Sequence, residues 1–99
     1  MVITVSVMDD LDGLAEFAEA FVTEVIVGLR LNDYSETVQL QVDVADVYGV
    51  HVELLDEQDQ IVEEQGWYLK LTVRDETLLV ISLHRATQAI TTRGGVVHP

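Results

Sequence analysis

The chain has 99 residues, 48% of them hydrophobic, with one proline and six glycines, a composition that supports one buried core and not two. Eighteen acidic residues stand against five Lys and Arg, a net charge of −13; over a folded surface of roughly 5,600 Å² that is one net negative charge per roughly 430 Å². Such a surface repels phosphate, which disfavours direct binding to nucleic acid or to an anionic membrane and favours a basic protein partner.

With no cysteine, the chain has no disulfide, no thiolate metal site and no thiol nucleophile. The start, Met1 to Val7, lacks a basic region and breaks at Asp9 and Asp10. It reads as neither a signal peptide nor a bilayer span, and a cytoplasmic protein is expected, in the host cytoplasm if the source is viral. The charge is also bipolar. Residues 1–64 hold sixteen acids and only Arg30, whereas residues 65–99 hold four cations, Lys70, Arg74, Arg85 and Arg93, against Asp75 and Glu76. A uniform acidic coat of the kind a high-salt protein carries would spread acids through both halves.

In chain order, the β-branched run 2–8 predicts a strand. Asp9 or Asp10 then caps a helix, predicted from Leu11 to about Arg30. Leu11, Leu14, Ala18, Phe21, Val22, Val25 and Leu29 fall on one face of it at helical steps, with Asp12, Glu16, Glu19 and Thr23 on the other. The β-branched run Val22 to Val27 is its weak point. Val38, Leu40, Val42 and Val44 alternate with polar residues and predict a half-buried strand; 49–55 fits strand and helix periods alike, and its valines favour strand. Asp56 to Gln60 is a polar turn. From Gly66, Trp67, Leu69, Leu71 and Val73 alternate with Tyr68, Lys70, Thr72 and Arg74, and a second strand runs from Thr77 to His84 beyond Asp75 and Glu76. That pair predicts an antiparallel hairpin. The fold class expected is α+β: one amphipathic helix on a mainly antiparallel sheet of four or five strands, in the order β-α-β-β-β-β. It forms a single domain over residues 1–91, with residues 92–99 as a flexible tail.

No catalytic, cofactor or metal constellation emerges. Asp10-Leu11-Asp12-Gly13 is too short for a calcium loop and has no later Glu in register. His51, His84 and His98 lack metal-ligand spacing. Ser82 and His84 share a strand side without a glycine elbow or an oxyanion donor. The acids are the feature above background. Asp12, Glu16 and Glu19 follow one helical face at roughly 5–6 Å steps, near the spacing of successive phosphates once the lateral path is added to the roughly 3.4 Å axial rise. A second set, Asp56, Glu57, Asp59, Glu63 and Glu64, surrounds the 56–64 turn. Tyr68, outside the core beside Lys70, is a candidate interface anchor.

The expectation is therefore a non-enzymatic acidic binding protein with no cofactor, an inhibitor or decoy that blocks a basic, nucleic-acid-binding surface of another protein. In size and charge it is similar to small acidic inhibitors such as DNA mimics, phage anti-defence proteins including anti-CRISPRs, and toxin-neutralising immunity proteins. Two alternatives stay open: an assembly subunit that forms homo-oligomers through a sheet edge or the Val22–Val27 patch, and a salt-adapted domain whose acidity serves solubility alone.

Overall fold

The computed structural model describes residues 1–4, 7, 11 and 17–99. It is a mixed α+β fold: β1 (Val2–Ile3), α1 (Ala18–Val27), β2 (Tyr34–Gln39), β3 (Val44–Leu55), β4 (Ile61–Arg74), β5 (Thr77–Arg85), β6 (Ile90–Thr92) and β7 (Gly95–Val97). Five strands form one sheet in the order β1-β5-β4-β3-β2, antiparallel except that β1 lies parallel to β5; β6 and β7 form a separate hairpin. Among the described residues no helix is long and apolar enough to cross a membrane.

Several sequence expectations need correction. The helix is ten residues long, not twenty, and stops at Gly28, whose N–H bonds back to Glu24 O; residues 12–16 of the expected helix lie outside the described residues. The first strand does not run to residue 8. It ends at Ile3, and Val7, whose N–H donates to the Thr4 hydroxyl, is helical. The alternating run from Val38 to Val44 is two strands, because residues 40–43 turn back on themselves, with Leu40 N–H on Asp43 O and Gln39 Nε2 on both Leu40 O and Asp43 O. Val42, expected inside, is therefore 82% exposed. The segment with two possible periods is strand throughout, as its valines favour.

Directly opposed residues of an antiparallel pair share a face, and the pairs Val50–Trp67, Leu69–Leu83 and Leu71–Val80 line one face of the sheet. Val22 and Ala18 of α1, with Val7 and Leu11, close over them into one core, and Phe21, Val25, Ile26 and Leu29 pack at its margin. Trp67, expected inside from its alternation with Leu69 and Leu71, is 1% exposed and meets the Phe21 ring at 4.9 Å. Its Nε1 has no hydrogen-bond partner among the described residues. The β4–β5 connection is the two-residue turn at Asp75 and Glu76, both at positive φ, as the twist of a hairpin demands.

The reverse face carries the β6–β7 hairpin, and two glycines admit it. A Cβ at Gly49 would stand 2.9 Å from Ile90 Cγ2, and one at Gly66 would stand 2.5 Å from Val97 Cγ1. Gly66 N–H also donates to His98 O. Residues 92–99, expected to trail as a tail, thus include β7 and a backbone bond to the sheet. Ile90, Ala86, Val47 and Ala45 are buried apart from the main core.

Candidate functional site: an acidic arm and an open strand edge

The two long strands outrun their neighbours. β2 pairs with β3 only over residues 44–48, and β5 pairs with β4 only over residues 67–74, so the remainder of β3 and β4 continues as a two-stranded arm closed by the 56–60 turn. Seven residues of β3 lie beyond the last pairing with β2, about 20 Å of strand. The accessible surface, 6497 Å², exceeds the roughly 5,600 Å² of a compact chain of this mass, in keeping with an extended projection.

The arm gathers the second acidic set. Asp56, Glu57, Asp59, Glu63 and Glu64 all lie on it and are joined by Glu53; residues 53–64 contain six acids and no Lys or Arg. Asp56 builds the tip: its Oδ1 accepts the N–H of Gln58 and of Gln60, both at 2.9 Å, and its own N–H donates to Gln60 O. Asp59 occupies the left-handed region at φ 59°, which Asp tolerates better than most residues. These two aspartates shape the turn as well as charging it. Leu55, Ile61 and Val62 are each more than half exposed beside them.

At the base of the arm, Glu63 accepts two bonds from Arg85, Nε to Oε1 at 2.5 Å and Nη2 to Oε2 at 3.1 Å. That guanidinium holds the Glu63 carboxyl below its ordinary pKa, and the carboxylate in turn raises Arg85. Arg85 also lies 4.9 Å over the Trp67 ring, tying the arm to the core. On the reverse face, Glu53 stands directly opposite Glu64, and His51 Nε2 is 3.0 Å from Glu64 Oε1. The ligating atoms of these three side chains lie within 4.8 Å of one another, a nitrogen-and-carboxylate set of the kind that can hold a divalent transition metal, although all three are exposed and water competes for every donor.

The edge of β3 inside the arm is open among the described residues. Gly66 turns both backbone groups toward the β5 side, its N–H to His98 O and its C=O to the Ala86 N–H. Its partner His51 is therefore in a non-hydrogen-bonded pair, and the N–H and C=O of His51, and by alternation of Glu53, point to the side that β2 has left. A groove of about 580 Å³ opens there. Its walls are α1 (Phe21, Glu24, Val25) on one side and the hairpin (Thr92, Gly94 to Val97) on the other, and Asn32 and Asp33 close one end.

The remaining sequence candidates lie elsewhere. Glu19 is exposed on α1, whereas Asp12 and Glu16 lie outside the described residues. Tyr68 is on the reverse face, half-buried, its ring stacked on His84 at 5.0 Å and 15°. Burial first, and the Glu36 carboxylate second, raise its phenol pKa. With His84, Val47 and Ile90 it lines a second groove, of about 510 Å³, beside the loop 86–89. Glu53 and the β3 edge were missed from sequence; placing the turn at 56–60 and counting back across it would have set Glu53 opposite Glu64, but the edge depends on where β2 stops. No protein-family model, no curated protein and no solved structure matches this chain.

Proposed function

We propose that the protein is a non-catalytic acidic binding protein, an inhibitor or decoy whose β3–β4 arm enters a basic, nucleic-acid-binding surface of a partner and competes with phosphate there. One observation carries the reading: residues 53–64 project from the sheet with six acids and no cation of their own. Binding of this kind is steered by charge and weakens steeply as salt rises.

The test is displacement of basic proteins of the host lysate from immobilised duplex DNA. The wild-type protein is expected to elute a subset of them at about 50 mM salt and far less at about 200 mM. A Glu57→Lys/Glu64→Lys variant keeps the Asp56 turn intact and sets a lysine opposite Glu53; it is expected to elute none. Equal elution by both proteins, or none by either, would sink the proposal.

A further inference from the structure

From the open edge of β3 we infer a specific mode of engagement: the partner supplies an extended segment that adds to β3 as a new strand, end to end with β2, carrying Lys or Arg at alternate positions. This rests on the reading of the protein as a binder of basic partners, and it names the chemistry of the segment bound.

Three features of the groove require an occupant of this kind. The first is backbone: His51 and Glu53 direct N–H and C=O into the groove, and among the described residues β2 offers them nothing after Tyr48. A free edge is a template for one more strand, and main-chain bonds to it give affinity for any extended segment. The second is period. A strand lying along β3 alternates its side chains between the two faces. Toward α1 they meet Val50, Val52, Phe21 and Val25, an apolar wall; toward the reverse face they meet Glu53, with Glu64 directly across from it. Apolar and basic residues in alternation satisfy both sides. The third is charge. Glu24, Asp33 and Glu53 line the groove against the single Arg30. The Glu53–Glu64 pair sets two like charges face to face in a non-hydrogen-bonded pair where side chains stand closest; His51 bonds Glu64 alone, at 3.0 Å, so a cation beside Glu53 relieves the remaining repulsion.

The probe is a short synthetic peptide alternating valine and lysine. Two controls accompany it: a block peptide of the same composition, with valines and lysines segregated, and the alternating peptide with every second backbone amide N-methylated, made in both registers. The intact chain is titrated while its backbone amides are followed by NMR and hydrogen exchange. The alternating peptide is expected to bind about tenfold more tightly than the block peptide and to protect the amides of His51 and Glu53. N-methylation in one register, and not in the other, is expected to weaken binding about tenfold, the equivalent of about 1.4 kcal/mol. A Glu53→Lys variant, exposed and so compatible with the fold, is expected to lose the preference for alternation.

Equal, salt-sensitive binding of the alternating and block peptides would overturn strand addition and leave the acidic arm standing as a general cation-binding surface. Failure of the alternating peptide to bind, or its binding without change at His51 and Glu53, would overturn the inference as well. Self-association of the free chain with protection of those same amides would assign the edge to a second copy and overturn the foreign partner.

Discussion

The body of the sheet and the arm that leaves it are built from the same two strands, and they use charge in opposite ways. In the body, Arg74 meets Asp43, Arg85 reaches out to Glu63 of the arm, and the apolar side chains of β3, β4 and β5 turn inward against α1. Beyond the last pairings with β2 and β5, the inward face is half-covered, the apolar residues Leu55, Ile61 and Val62 are exposed, and six acids follow one another without a cation in sequence. Stability is thus concentrated in the body, and most of the arm's charge, apart from Glu63 on Arg85, has no Lys or Arg partner. An isolated two-stranded ribbon is marginal in water; here its base is held by the Arg85 clamp and the margins of α1.

The largest effect should follow from breaking the body. Trp67→Ala removes the largest fully buried side chain, which is 1% exposed, and is expected to cost about 3–5 kcal/mol in a denaturant titration. A cost below about 1 kcal/mol would mean the core is not organised around this ring. Next is the seat of the hairpin. Gly66→Ala would drive a methyl into Val97 and the His98 backbone, and is expected to cost about 1–3 kcal/mol, as overpacking does. Amides of residues 90–97 should exchange faster in this variant, while those of β5 are unchanged. Uniform acceleration would show that the hairpin is not a separable unit.

Smaller is the clamp between the two regions. Because Arg85 holds the Glu63 carboxyl below its ordinary 4.5, the ion pair contributes stability that is fully present above that value and is lost as pH falls through the lower folded value. The Arg85 side chain is 46% exposed and the pair is screened by solvent, so Glu63→Gln is expected to cost no more than about 1 kcal/mol at neutral pH. The difference from wild type should vanish in acid. A difference that persists at low pH would indicate a packing role for Glu63 instead.

The same division explains what could be read in the sequence. The β4–β5 hairpin was legible because alternation from Trp67 is bounded by Asp75 and Glu76, so Trp67 inside and Tyr68 outside follow from period alone; at its far end the reading fails, since Thr72, expected outside, is buried with its hydroxyl on Val44 O, and Val73, expected inside, is 66% exposed. The turn at residues 40–43 was not, because hydrophobic alternation runs through it without a glycine or proline to mark the break. β6 and β7 are three residues each, too short for any period to register, and the Gly94-Gly95 pair that looked like a fraying end lies at their turn. Of the candidate site, the acids at 56–64 were visible as a cluster. Their projection on an arm was not, since it depends on β2 and β5 stopping short. The groove depends on α1, residues 30–33 and the hairpin meeting around one strand edge, and contacts so far apart in the chain leave no local signature.

The division of labour between body and arm is tested most directly by measuring one variant, Glu57→Lys/Glu64→Lys, twice: by its denaturant midpoint and by its power to displace basic proteins from DNA. Both side chains are exposed, so the midpoint is expected to correspond to a stability within about 0.5 kcal/mol of wild type, with displacement abolished. Displacement equal to wild type from a variant that folds as well would contradict the assignment of binding to the arm.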